Sequence, residues 1–169
     1  VSANRALTQV RFADTPLTAA TILMPTTIEQ ELVWIRTHMP RTQRALQTLP
    51  DLTGVRLACC VHLEIKMIPL FEALMARGAQ LFLTTCNPTT VRDDTVQWLV
   101  ERGAVAEASF GMSAAEYDAA LQHALDWQPT HFCEMGADLS YALQQRNHSH
   151  TVKASLEGTG SGISRLERL

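Results

Sequence analysis

The chain has 169 residues, 46% of them apolar and 18% charged, with a formal net charge of −3. That is one domain's worth of chain with enough apolar matter for a core, and it excludes both a basic nucleic-acid footprint and an acidic disordered tail. No apolar run reaches the roughly 18 residues of a membrane span, and the N-terminus lacks the basic-then-apolar order of a secretion signal, so a cytoplasmic protein is expected.

The first residue is Val1 rather than Met, as in a processed, tagged or excised piece. Residues 1–26 hold no sustained period and contain Pro16 and Pro25, which reads as an N-terminal arm. One domain is expected over 27–169. From Thr27 the pattern turns helical: Thr26 or Thr27 caps, Glu29 and Glu31 suit the first turn, and Ile28, Leu32, Ile35 and Met39 share a face. Pro40 interrupts this helix and Pro50 ends it.

A regular alternation follows. Residues 55–61 read as a buried strand, and 64–77 as a helix stopped by Gly78. A second strand is expected over 80–84 and a helix over 90–102. A third, weak strand spans 104–108. Ser113 with Glu116 three residues on forms a capping box for a helix to Trp127. A short strand at 131–133 precedes a helix over 138–147. The last strand covers 151–156 and the last helix 161–169.

Five strand–helix units in succession predict an α/β domain: a three-layer Rossmann-like (flavodoxin-like) fold with a five-stranded parallel sheet and helices on both faces. The default strand order is the flavodoxin-like 2-1-3-4-5. Ligands in such sheets bind at the carboxyl ends of the strands. That rule nominates His62, then Cys86 and Asn87, then Phe110, the stretch from Glu134 to Asp138, and the loop from Glu157 to Gly162.

His62 at a strand end can serve as acid or base near neutral pH, or satisfy a backbone carbonyl. Glu157 can accept from a sugar diol, or neutralise a helix N-terminus. Cys86 is a nucleophile only if a positive neighbour lowers its pKa, and a packed thiol otherwise. The glycine-rich loop fails the dinucleotide fingerprint, since the third glycine position falls on Ile163 or Arg165. Cys59, Cys60, Cys86 and Cys133 lack CxxC spacing, which fits reduced thiols better than disulfides or zinc. His148 and His150 alternate in a turn and make a poor metal pair, so no metal is expected.

The stretch Gly54-Val-Arg-Leu-Ala-Cys-Cys-Val-His62, with Pro69-Leu-Phe-Glu-Ala-Leu74 and Arg77-Gly-Ala79, resembles the substrate-binding domain of the adenosylhomocysteinase (S-adenosylhomocysteine hydrolase) family. The same holds for His38-Met-Pro40, Thr84-Thr-Cys-Asn87, Glu116-Tyr117, Gly136-Ala-Asp-Leu-Ser140 and Leu156-Glu-Gly-Thr-Gly-Ser-Gly-Ile163, in order and spacing, from about Ile28 to the last residue. The resemblance implies a cleft for a nucleoside thioether between this domain and a following NAD-binding domain. There the ribose 3′-hydroxyl is oxidised, homocysteine is eliminated, water adds and the ketone is reduced. It implies that His62 works near the 5′ leaving group, that Glu157 with Gly158 and Thr159 holds the ribose hydroxyls, and that Cys86, Asn87 and Thr90 line the cleft. A homo-oligomer is also implied.

Departures from the family pattern bear on activity. Glu64 and Lys66 stand where the family places the Thr and Glu that read adenine. A lysine offers only donors, which disfavours the exocyclic amine and favours a keto group or a carboxylate. Met135 replaces a family acid/base Asp and cannot transfer a proton, leaving Glu134, one position away, as the candidate substitute. The family's NAD domain would follow Leu169, and without a hydride acceptor the oxidation has no driving chemistry. The expected function is therefore the substrate-binding domain of a longer NAD-dependent thioether hydrolase. The alternative is a non-catalytic nucleoside-binding or regulatory homologue. A flavodoxin-like response domain would want an acidic cluster after strand one, which His62-Leu-Glu-Ile-Lys66 does not supply.

Overall fold

A computed structural model describes residues 27–146 and 151–169. The expected N-terminal arm and the His148–His150 pair lie outside the described residues. Helix α1 (Ile28–His38) opens on the full capping box of Thr27 and Gln30, and α2 (Pro40–Gln47) begins at Pro40, where the ring suits a first helical position. The alternation then runs β1 (Arg56–Cys60), α3 (Ile68–Ala76), β2 (Gln80–Thr84), α4 (Asp93–Val100), β3 (Val105–Ala106), α5 (Ala114–Asp126), β4 (His131–Glu134), α6 (Asp138–Gln144), β5 (Ala154–Glu157) and α7 (Gly160–Leu166). Ser113 caps α5 through the expected capping box with Glu116.

All four strand pairings are parallel, and the five strands form one sheet. The expected α/β architecture holds, but the strand order does not. The sheet runs β3-β2-β1-β4-β5, not 2-1-3-4-5. The physical reason lies in β3, which has only two residues and contacts its neighbour through Val105 and Ala106. So short a strand cannot serve as an interior rung, so it takes the edge beside β2. The winding therefore reverses between β1 and β4.

Strand alternation divides the core. Cys59 and Val61 of the β1 segment, with Leu81 and Leu83 of β2, face a cluster with Leu32 of α1, Phe71 of α3 and Leu99 of α4. Ala58, Cys60, Phe82 and Phe132 face the other way, onto Leu121, Ala124 and Leu125 of α5 and Leu139 of α6. Right-handed crossovers require this split, because the chain steps one way from β1 to β3 and the other way from β4 to β5. Gly78 ends α3 at φ +95°, and a Cβ there would meet Thr53 Oγ1 at 2.9 Å, so this close turn requires glycine.

Two expected helices start later than their sequence patterns suggest. Residues Ile65–Met67 and Pro88–Thr90 form single 3₁₀ turns ahead of α3 and α4. Both turns sit at the carboxyl rim of the sheet, where they carry Lys66 and Thr90.

Candidate functional site

The carboxyl rim beyond β1 and β2 is tied together by main-chain bonds beyond the strands themselves. Val61 N–H donates to the Thr84 carbonyl at 3.2 Å, Cys86 N–H to Val61 at 3.3 Å, and Arg92 N–H to Leu63 at 3.0 Å. This lacing brings the segment after β1 against the segment after β2. His62, half-buried, thereby meets Thr90: its Nδ1 lies 2.8 Å from Thr90 Oγ1. Thr90 Oγ1 in turn donates to the Asn87 carbonyl at 2.9 Å.

Asn87 is held as a turn residue. Its Oδ1 accepts from Thr89 N–H at 3.1 Å and from Thr89 Oγ1 at 2.8 Å, so the amide –NH2 is the part left for a ligand. Cys86 beside it packs, as Tyr117 does, against the cluster under α5 and α6. Burial, together with the negative charges of Asp138 and Glu157, pushes its thiol up to about 11. That is the opposite of an activated nucleophile, and a packed thiol lining the rim is what the geometry provides.

Glu64 and Lys66 form an ion pair with each other, Nζ to Oε2 at 2.8 Å, both partly solvated. Ile65 between them lines a hollow of about 380 Å³ with Gln30, Glu31, Trp34 and Ile35 of α1. A carboxylate acceptor and an ammonium donor thus stand side by side, on the two residues that flank Ile65.

The two remaining carboxylates of the expected site are taken up by bonds within the chain, Glu134 buried and Glu157 half-buried. Glu134 is 1% exposed. Its Oε2 accepts from the N–H groups of Leu139 at 2.8 Å and Ser140 at 3.2 Å, and its Oε1 from the Ser155 hydroxyl at 3.0 Å and from the Ser140 hydroxyl. Every position it could offer a substrate proton is occupied. Glu157 ends β5, two strands from His62, about 10 Å across the sheet at ordinary strand spacing. Its oxygens accept from Gly136 N–H at 3.0 and 3.1 Å, Ala137 N–H at 2.8 Å, Thr159 N–H at 2.7 Å and Thr159 Oγ1 at 2.6 Å. Burial opposes ionisation there, but these bonds outweigh it and hold the carboxyl below its ordinary value.

Thr159 and Gly158 belong to that same internal lattice. The Thr159 hydroxyl also accepts from Gly162 N–H at 2.9 Å, and Gly158 N–H donates to the Glu134 carbonyl at 2.9 Å. Met135 lies beside Gly158, with its Cγ 3.6 Å from where a Cβ would stand. The structure therefore gathers His62, Thr90, Asn87 and Cys86 in one place, with Glu64 and Lys66 on the next turn after β1. It buries Glu134 under α6, and it ties the half-buried Glu157 and Thr159 and the exposed Gly158 to the chain around them by internal hydrogen bonds. Phe110 stands exposed after β3, its N–H on Asp93 Oδ1 at 2.8 Å.

Two contacts at the rim carry no sequence signal. Tyr117 donates its hydroxyl to Asp138 Oδ2 at 2.8 Å and lies 3.7 Å from Cys60 Sγ, and Asp138 Oδ1 meets Arg165 at 2.5 Å. Their separations, 21 and 27 residues, arise only once α5, α6 and α7 are docked. The described residues do not fit a dinucleotide. The one glycine-rich loop is closed around the Glu157 carboxylate, and a Cβ on Gly162 would fall 2.2 Å from Glu157 Cδ. A pyrophosphate there would meet a negative charge that already holds the loop's donors.

A doubly wound parallel sheet with an imidazole at its switch point defines a Rossmann-like α/β domain whose ligand rim lies beyond β1 and β2. The family model of S-adenosyl-L-homocysteine hydrolase matches residues 28–163, and the chain belongs to that family, as its substrate-binding region. The S-inosyl-L-homocysteine hydrolase of Methanosarcina mazei is 30% identical over 145 residues, covering 82% of this chain and 35% of the relative. That of Methanosarcina acetivorans is 31% identical over 155 residues, covering 83% and 38%. The adenosylhomocysteinase of Aeropyrum pernix is 31% identical over 144 residues, covering 82% and 35%. The chain spans about a third of the length of these relatives.

Proposed function

We propose that residues 27–169 form the nucleoside-thioether-binding domain of a longer hydrolase of this family, with the reacting end of the ligand at His62. The observation that supports this reading is the His62–Thr90–Asn87 cluster at the carboxyl rim of β1 and β2, with His62 at the end of the β1 segment that borders the switch point. It sets a ring nitrogen and a free side-chain amide on the same rim. In the longer protein a nicotinamide cofactor would supply the oxidation at the sugar, held by residues other than those described. In this chain, His62 offers a site for proton transfer near the thioether, and Asn87 a donor.

The base is read by the Glu64–Lys66 pair. Lys66 donates to a keto oxygen and Glu64 accepts from the adjacent ring N–H, the order a 6-oxopurine presents. S-inosylhomocysteine is therefore the preferred ligand over S-adenosylhomocysteine. Isothermal titration of the chain with each compound tests both statements. Binding of the inosyl compound roughly tenfold tighter, about 1.4 kcal/mol, is expected. Equal affinities would remove the base assignment, and no heat from either at millimolar ligand would remove the nucleoside site.

A second reading has its own observation. Met135 carries no proton to transfer, and Glu134 has every acceptor position filled. Both facts favour a homologue that binds a nucleoside without turning it over. Turnover of a nucleoside thioether by the unmodified longer protein with NAD would exclude it.

A further inference from the structure

We infer that Thr90 is a positioning residue that fixes the neutral His62 ring as the Nδ1–H tautomer, leaving Nε2 as its acceptor nitrogen. The argument is a count of protons. Thr90 Oγ1 makes two short contacts, 2.8 Å to His62 Nδ1 and 2.9 Å to the Asn87 carbonyl oxygen. Each contact needs a hydrogen between its heavy atoms. Without one, lone pair faces lone pair at a distance that repels. The carbonyl has no proton to give, and the hydroxyl has one. That proton must lie toward Asn87, and the hydrogen toward Thr90 must then belong to Nδ1.

The neighbouring bonds keep the hydroxyl where it is. Thr90 N–H donates to the same Asn87 carbonyl at 3.0 Å, and the buried Thr85 hydroxyl donates to it at 3.0 Å. Thr85 Oγ1 also accepts from Asn87 N–H at 3.0 Å, closing the turn. Asn87 Oδ1 caps the 3₁₀ turn that carries Thr90. Thr90 thus stands on a backbone cross-braced from both sides, and the imidazole hangs on it by Nδ1. No hydrogen bond to Nε2 is formed among the described residues.

The assignment changes what Thr90 does. Its one proton is committed to Asn87, so it has none to offer a ligand, and its contribution is to orient the ring. It also gives His62 a direction. In the neutral ring, Nε2 can take a proton from a bound water or from the substrate and cannot deliver one first. That Nε2 acts on a substrate rests on the function proposed above. The tautomer does not, and calorimetry with the nucleoside thioethers tests that function separately.

The experiment is long-range proton–nitrogen correlation NMR on the chain with nitrogen-15-labelled histidine, at about pH 8.5, above the ordinary imidazole range. The chain has six histidines, so His62 is assigned by loss of its signals in His62→Gln. We expect the wild-type His62 to show hydrogen on Nδ1 and a bare Nε2. Thr90→Val should move the proton to Nε2, the tautomer that imidazole favours when nothing holds Nδ1, and Thr90→Ser should restore the wild-type pattern. A wild-type His62 with its hydrogen on Nε2 would overturn the inference, with no variant needed. So would a folded Thr90→Val whose His62 signals match the wild type. Should Thr90→Val not fold, the wild-type spectrum and the Thr90→Ser rescue still decide it.

Discussion

Glu134 shows how a side chain's partners bear on a role that its position in the sequence leaves open. Its place at the tip of β4 made it a candidate acid, yet the side chain points under α6 and accepts from two backbone amides and two serine hydroxyls. A buried carboxylate is tolerated when its acceptor positions are filled, and here Glu134 acts as the cap that α6 lacks at Ala137, where no side-chain cap bond forms. Glu134→Gln replaces an acceptor oxygen with an –NH2 that faces donors. The expected cost is about 2–4 kcal/mol in urea unfolding, with nucleoside affinity per folded molecule unchanged. A variant as stable as the wild type but unable to bind would return Glu134 to the site. The sequence located the strand tips and hence His62, Cys86 and Asn87, because the buried apolar runs end where polar residues begin. It could not show which tip residues turn inward. That depends on Ser140 and Ser155 arriving from α6 and β5 to face one carboxylate.

At the scale of elements, Glu157 joins three pieces of chain: the end of β5, the first amides before α6, and the turn into α7 capped by Thr159. Its five contacts stabilise the charged form and hold its pKa below 4.5 despite partial burial. A carboxyl with a lowered folded-state pKa contributes stability that is fully present above its unfolded value. The contribution is lost as pH falls through the folded value. The stability difference between wild type and Glu157→Gln should therefore be about 1 kcal/mol at neutral pH and shrink toward zero below pH 4.5. Unfolding curves from pH 7 to pH 3 check this, and a difference that is flat with pH would show that the bonds do not depend on charge. The element order itself was legible, since each strand–helix unit has its stop signal, Gly78 and Gly103 among them. Strand order was less so. The weakness of the 104–108 segment was visible, but its consequence, an edge position beside β2, follows from how little ladder two residues can form.

At the scale of the whole molecule, the described residues cover the two faces of the sheet unequally. Helices α5 and α6 cover one face, while α1, α3 and α4 cover the other over β1 to β3. On that second face, Leu57, Leu74, Cys133 and Leu156 line an open apolar groove of about 400 Å³ beside β4 and β5, and Leu156 is 66% exposed. The topology explains the gap. The right-handed step from β4 to β5 puts its crossover, α6, on the α5–α6 side, so among the described residues no crossover helix covers the groove. A parallel sheet is ordinarily buried on both faces, and an apolar groove left open to water binds hydrophobic dyes and promotes association. The chain should therefore enhance the fluorescence of anilinonaphthalene sulfonate while fully folded, and sediment with a concentration-dependent apparent mass. Leu156→Lys should reduce both effects severalfold and change the unfolding free energy by no more than about 0.5 kcal/mol, as at an exposed position. A loss of about 2 kcal/mol or more would show instead that Leu156 is buried in solution by a contact within the chain, and the groove would then be closed where the sheet leaves it open.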